Sequence, residues 1–241
     1  MRLLSYNIHK GIGGLDRRYD LDRIVRVIEH ANPDLVCLQE VTKHASRTRG
    51  DDQPDLLSKS LVLETSLFQL NVHYRKGGYG NLILSRWPFK TRHNISLRHG
   101  SRKPRGGQVV VVETPEGLLR IAHCHLGLVD SERKWQANHL LEHSLFQESD
   151  GLPTIVVGDC NDWRNRLSAA AFEKYGYTQV TTPPSRFRSF PAFLPTISLD
   201  KAFHLGLHIR EATIIRNPMA HRASDHLPLV VDFHLHERHL R

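Results

Sequence analysis

Apolar residues in this chain come in short runs whose spacing changes from run to run. RLLSYNI (2–8) predicts a first strand, and Gly11, Gly13 and Gly14 mark a loop after it. The period then lengthens: Leu21, Ile24, Val25 and Ile28 recur at helical spacing, and Asn32-Pro33 stops the helix. LVCLQEV (35–41) predicts a second strand. The opening is therefore strand–helix–strand, the unit of a sheet covered by helices.

Residues 42–54 are polar and read as loop, followed by a short helix at 55–61. FQLNVHY and NLILS predict strands around the turn RKGGYG, and QVVVVETPEGLLRIAHCHL predicts a hairpin turning at 115–117. Ser131 is placed as the cap of a helix reaching about residue 147, with Ala137, Leu140, Leu141 and Leu145 on one side. TIVV (154–157), a short helix at 167–175 and strands at 197–203, 211–216 and 227–233 complete the pattern. Hairpins beside crossovers predict a mixed-sheet α/β (α+β) protein. No Gly/Ser-rich linker, repeat or charge block divides the chain, so a single domain over 1–241 is expected, with 234–241 as a basic tail carrying His234, His236 and His239.

Composition narrows the partners more than the fold. The chain is 39% hydrophobic and 24% charged, as in a soluble globular protein. No apolar run approaches the ~18–20 residues that span a bilayer, and MRLLSYNIHKG lacks a signal-peptide core, so a cytoplasmic location is expected. Cys37, Cys124 and Cys160 each lie in a strand-like run and are read as buried free thiols in a reducing compartment. A net charge of +8 favours a polyanionic partner, whether nucleic acid, phosphate ester or anionic lipid headgroup. No feature calls for an obligate protein partner.

The chemistry lies where the apolar runs end. PTIVVGDCND (153–162) delivers Asp159 and Asn161 to the tip of a buried strand. If the chain stays extended past Gly158, these two share one side and Cys160 points to the other. Asn7, Glu40, His125, Asp200, and Asp225 with His226 stand at or near the ends of five further strands. Any one of them has a dull explanation as a cap or a solvated end; recurrence over six strands points to a site at strand ends. Carboxylate and amide oxygens suit a hard ion such as Mg²⁺, with Mn²⁺ as substitute, and His226 oriented by Asp200 would serve as acid, base or cation. His123, two before His125, opens the thought of a His-x-His zinc site, but nothing nearby completes four ligands.

SYNIHKG, PDLVCLQEV, GYGNLILSRWP, AHCHLGL, VVGDCND, SLDKAF and SDHLPLVVDF occur in the order found in the endonuclease/exonuclease/phosphatase superfamily, which the chain resembles from residue 2 to about 233. The resemblance is greatest to its small bacterial members. It implies a four-layer sandwich of two mixed sheets packed face to face, helices outside, and a metal-dependent phosphodiesterase of nuclease type. It further implies Glu40 as principal metal ligand with Asn7 beside it and Asp225 near the metal. Asp159 would orient or deprotonate water, with Asn161 as its partner on phosphate. His226 would be the catalytic imidazole held by Asp200, and His125 would contact phosphoryl oxygens, with Asn81 nearby. Departures are Cys160 and Lys201, where the family commonly has larger apolar and aromatic residues. Basic segments at 46–50, 86–93, 102–107 and 185–191 are read as substrate grip or plain surface, with Arg105 and residues 188–191 the ones expected to line the site. Nucleic acid is slightly favoured as substrate, with a phospholipid headgroup or small phosphoester next. A catalytically dead binding relative is disfavoured because Glu40, Asp159, Asn161, Asp200 and His226 are all present.

Overall fold

The structure, a computed structural model, describes residues 1–63, 65–149 and 151–235. In chain order its strands are β1 (Arg2–Asn7), β2 (Leu35–Lys43), β3 (Thr65–His73), β4 (Gly78–Ser85), β5 (Phe89–Ser96) and β6 (Gly106–Thr114). They continue as β7 (Gly117–His125), β8 (Thr154–Asp159), β9 (Thr178–Gln179), β10 (Asp200–Leu205), β11 (Leu207–Ile214) and β12 (Leu229–Leu235). Five α-helices accompany them: α1 (Leu21–Ala31), α2 (Gln53–Ser60), α3 (Asp130–Glu142), α4 (Ser144–Gln147) and α5 (Pro218–Ala223).

Two six-stranded mixed sheets result, ordered β11-β12-β1-β2-β4-β3 and β5-β6-β7-β8-β10-β9. Each contains one parallel pair, β1 with β2 and β7 with β8. A parallel pair needs a crossover, which α1 supplies in the first sheet and α3 with α4 in the second. The helix α1 forms where the spacing predicts it: Asp20 caps it by accepting from Arg23 N, Asn32 closes it in a left-handed conformation, and Ile24, Val27 and Ile28 are buried.

Strand alternation divides the second sheet's residues between two cores. Ile121, Ile155 and Val157 join Val36, Leu38 and Leu82 of the first sheet in one cluster. Ala122, Cys124 and Val156 turn the other way onto Ala137, Leu140 and Phe146 of the α3–α4 layer. Full burial of each such Leu, Ile or Phe contributes about 1.5–3 kcal/mol. The fold is the expected α/β sandwich of two sheets with helices, and all three cysteines are free and buried.

Several expectations give way. The strand β5 falls in RWPFKTRH, read from sequence as a basic segment. It is an edge strand whose outward positions carry Lys90 and Arg92, so charge masks its alternation. The helix expected to be capped by Ser131 and to reach about residue 147 is capped two residues earlier, at Val129 and without a side-chain bond, and breaks at His143, whose Nδ1 accepts from Leu145 N to start α4. The segment expected as a helix at 167–175 is one π turn followed by one 3₁₀ turn. His234 belongs to β12 and bonds Glu116 through Nδ1 at 2.8 Å rather than opening a tail; residues 236–241, with His236 and His239, lie outside the described residues.

Candidate active site

The topology explains why polar residues recur at strand ends. Asn7 and His125 end β1 and β7, and Asp159 ends β8, so these groups collect at the carboxyl ends of the parallel pairs. An antiparallel neighbour begins where its parallel partner finishes. Thus Asp200, first in β10, stands opposite Asp159, and Asp225 and His226 lead into β12, which runs antiparallel beside β1.

Asp159 is the hub. Buried at 2% exposure, its Oδ2 accepts from Asn7 Nδ2 at 3.0 Å, a bond that crosses from one sheet to the other. The same oxygen lies 3.4 Å from His125 Nε2 and 3.7 Å from His226 Nε2. Burial pushes the Asp159 carboxyl up, with His226 opposing. The chain does not stay extended past Gly158 as expected. Asn161 takes a left-handed φ of 50°, and its N–H donates to Asp159 Oδ1 at 3.0 Å. Asn161 is therefore brought to Asp159 by a turn, not by alternation, and its Nδ2 donates to Leu126 O. Cys160 does face the second core.

His226 is held from the other side. Its Nδ1 lies 3.0 Å from Asp200 Oδ2, which also accepts from Ser189 Oγ at 2.5 Å. Phe190 packs against the ring, 4.9 Å between centroids. Ser189 and Phe190 fall in the 188–191 segment expected to line the site, though sequence did not single out either. Burial lowers the His226 ring, but Asp200 and Asp159 outweigh it and raise its pKa to about 10. His226 is thus an imidazolium at neutral pH. His125 is the reverse: burial, then Arg105, His226, Lys103 and Lys10, push it well below the ordinary histidine range, so it is neutral.

Glu40 sits in a bulge of β2, where the register to β4 shifts between Leu38 and Val41, and takes φ 59°. Such a bulge re-aims a side chain that strict alternation would place elsewhere. Its carboxylate is 13% exposed and forms an ion pair with Lys10, a residue the sequence reading passed over. The only signal for Lys10 was its place in the glycine-rich loop directly after β1. Burial pushes Glu40 up, but Lys10, His9 and Lys103 hold it below the ordinary carboxylate range. Asp225 lies farther out, 30% exposed, with His9 Nδ1 3.8 Å from its Oδ2.

Arg105 is 7% exposed, and its Nε has no hydrogen-bond partner among the described residues. Asn81 faces away from open space, donating through Nδ2 to Gly106 O at 3.0 Å; it fastens the strand that follows Arg105. Lys201 is fully buried and braces the loop after Asp159 by donating to Asn165 Oδ1 and Ser198 Oγ. His123 is a structural histidine. Between the sheets its Nε2 lies 2.6 Å from Gln39 Nε2 and its Nδ1 3.1 Å from Gln108 Oε1, and burial lowers its pKa to about 3.

The donor set fits a hard divalent cation. Oxygen ligands dominate, and Glu40 already stands against a positive charge, that of Lys10. Asp159, Asp200 and His226 also offer atoms within 4.8 Å of one another. In that cluster, however, Asp200 Oδ2 and His226 Nδ1 are engaged with each other, and both Asp159 oxygens accept hydrogen bonds, from Asn7 Nδ2 and Asn161 N. The arrangement brings a buried carboxylate and two histidines of opposite pKa shift within 4 Å of one oxygen, groups suited to acid–base and electrostatic work.

Comparison with known proteins bears on this geometry. The Escherichia coli K12 protein YbhP, itself uncharacterized, is 27% identical over 97% of this chain and 96% of its own length. Among solved structures, an endonuclease/exonuclease/phosphatase from Beutenbergia cavernae superposes with a TM-score of 0.85 at 22% identity, covering 98% of this chain and 71% of that one. A mannosyl-6-phosphatase from Bacteroides thetaiotaomicron superposes with a TM-score of 0.75 at 17% identity, covering 97% and 99%. These two likenesses establish the fold. The Endonuclease/Exonuclease/phosphatase family profile matches residues 4–226, the stretch that holds every residue of the site just built, and this chain belongs to that family.

Proposed function

We propose that this protein hydrolyses phosphodiesters by attack of water, with Mg²⁺ as its metal and nucleic acid as the favoured substrate. The observation that carries the reading is the His226 ring, held with Nδ1 3.0 Å from Asp200 Oδ2 and Nε2 3.7 Å from Asp159 Oδ2. Glu40 holds the metal, with Asn7 beside it and Asp225 near. A divalent ion bound there would neutralise phosphate oxygens and stabilise the leaving oxygen.

The remaining roles belong to the chain's own groups. Asp159 accepts a hydrogen bond from the attacking water or takes its proton, which suits a buried carboxyl whose proton affinity is raised. Asn161 and His125 position the phosphoryl group, and His226 contributes positive charge as negative charge builds on it. Arg105 binds substrate, and Asn81 acts on it by holding Gly106. The +8 net charge supports a polyanionic substrate, and no helix among the described residues is long and apolar enough to cross a membrane.

Supercoiled plasmid incubated with Mg²⁺, Mn²⁺ or EDTA tests this, with Asp159→Asn protein as contamination control. Metal-dependent nicking by the wild type alone is expected. Absence of nicking by folded protein would redirect the reading to phospholipid headgroups or small phosphoesters.

A further inference from the structure

The basic stretch 185–191 serves two places at once. Ser189 is fully buried and its Oγ donates to Asp200, while Phe190 packs on the His226 ring. Arg186 and Arg188 are exposed and, with Arg216, Thr213 and Pro195, line a cleft of about 460 Å³. None of the candidate catalytic or metal-binding residues lines that cleft. Arg188, expected from sequence to line the hydrolytic centre, thus belongs elsewhere, and the 187–190 segment stands between the two.

The cleft opens where both sheets end, at β11 of the first and β9 of the second. A second cleft of about 380 Å³ adjoins it, shares Arg186, Phe187 and Ala212, and adds Val180 and Ile209. Val180, Ile209 and Ala212 are half-buried against the main core, so this half has an apolar floor, with Gln179 and Thr182 also lining it.

The charges of the first half are unmatched. No acid lines it, and neither Arg186 nor Arg188 forms an ion pair or side-chain hydrogen bond among the described residues. Glu211 lines only the second half, where Arg210 is its neighbour. Arg216 donates to carbonyls alone: through Nη2 to Arg186 O at 2.9 Å and Arg188 O at 3.1 Å, and through Nη1 to Ile214 O at 3.4 Å. Burial lowers its pKa with no carboxylate to oppose it. Those bonds fix the backbone that carries the other two arginines, and Pro183, Pro184 and Pro191 restrict the same loop. Three guanidinium groups around one cleft repel one another, and an anion relieves the repulsion. Their planar donors match the oxygens of a phosphate.

We infer that this groove is a mononucleotide-binding site separate from the hydrolytic centre. Arg186, Arg188 and Arg216 take the phosphate, and the floor of Val180, Ile209 and Ala212 takes the base. An apolar floor with a few polar groups suits a heteroaromatic ring, and each half falls within the range of about 300–1,000 Å³ found for small-molecule sites. The site uses no residue of the hydrolytic centre and does not depend on the phosphoesterase reading.

The test is calorimetry on the full chain in EDTA, with adenosine 5′-monophosphate as probe. Arg186→Met/Arg188→Met is expected to weaken binding by about tenfold or more, the worth of at least one charge-assisted hydrogen bond. Both side chains are exposed and unpartnered, so this variant keeps the fold. Lys90→Met/Arg92→Met removes the same two charges from β5, the far edge of the second sheet, and should bind as the wild type does. His226→Gln should also retain the binding, and inorganic phosphate should bind the wild type more weakly than the nucleotide. No binding by the wild type, or unchanged affinity in Arg186→Met/Arg188→Met, would overturn the site. So would an equal loss in Lys90→Met/Arg92→Met, loss in folded His226→Gln, or inorganic phosphate binding as tightly as the nucleotide.

Discussion

Asp200→Asn removes one charge from the site while keeping its shape. Asp200 is fully buried, and its Oδ2 alone accepts from both Ser189 Oγ at 2.5 Å and His226 Nδ1 at 3.0 Å. An asparagine can set its carbonyl oxygen where Oδ2 stands, so both bonds persist to a neutral acceptor. Bonds to charged groups are worth about 1.5–3 kcal/mol and neutral ones about 0.5–1.5, so the imidazolium loses about 1–2 kcal/mol. At 1.36 kcal/mol for each pH unit, the ring should titrate about one unit lower, or further still because the charge also acts at a distance. The new amide nitrogen falls in the place of Oδ1, a buried atom with no partner among the described residues, and an unsatisfied donor there costs about 1–3 kcal/mol of stability. Imidazole NMR through the pH range reads the first effect and urea unfolding the second. Phosphoesterase turnover should fall by about 10²–10⁴. A His226 ring that titrates in the variant as it does in the wild type would refute the reasoning, because the charge would then be held by something other than Asp200.

Four further outcomes are expected. Gly158→Ala should destabilise by about 1–3 kcal/mol in urea, since φ is 150° and a Cβ would meet Cys124 O at 1.8 Å; an unchanged midpoint would show that β7 and β8 can part. His123→Leu removes the partner of Gln108 Oε1 between the sheets and should cost about 1–3 kcal/mol in the same assay. Lys10→Met frees Glu40 of its competing cation, so Mn²⁺ titrated by electron paramagnetic resonance should bind more tightly to the variant; weaker binding would place the metal away from Glu40. The metal-free wild type should be more stable than His226→Gln at low pH. A folded pKa of about 10 against an ordinary 6.5 means the protonated ring contributes fully below pH 6.5 and the gap in Tm closes as pH rises from 6.5 to 10.

Much of this was legible in the sequence because burial and period coincide there. α1 shows its buried face at helical spacing, and β8 shows a continuous apolar run because both its faces are covered. The candidate site residues stood out because strand ends are where polar groups interrupt such runs. Lys10 was not, since a lysine among glycines looks like any solvated loop residue until the fold brings Glu40 to it. Ser189 bonds a carboxylate eleven residues on, across a turn no period announces. Glu40 was read as a strand-end acid, but β2 runs on to Lys43 and the side chain's direction comes from a bulge within it, which leaves no mark in hydrophobic spacing. β5 was lost because an edge strand keeps one side in water and its residues there are charged.

The pairing of β12 with β1, which sets Leu229 against Ser5 and lets Ser224 Oγ donate to Asn7 O at 2.7 Å, has a consequence for how the protein is made. A chain emerging from the ribosome presents β1 first and β12 last. Until residues 224–235 arrive, β1 is an open edge of the first sheet, and His226 is missing from Asp159 and Asp200. Contacts this distant in sequence form late and slowly. Nascent chains therefore lack the assembled candidate site until β12 is delivered, and until then they carry an open pairing edge.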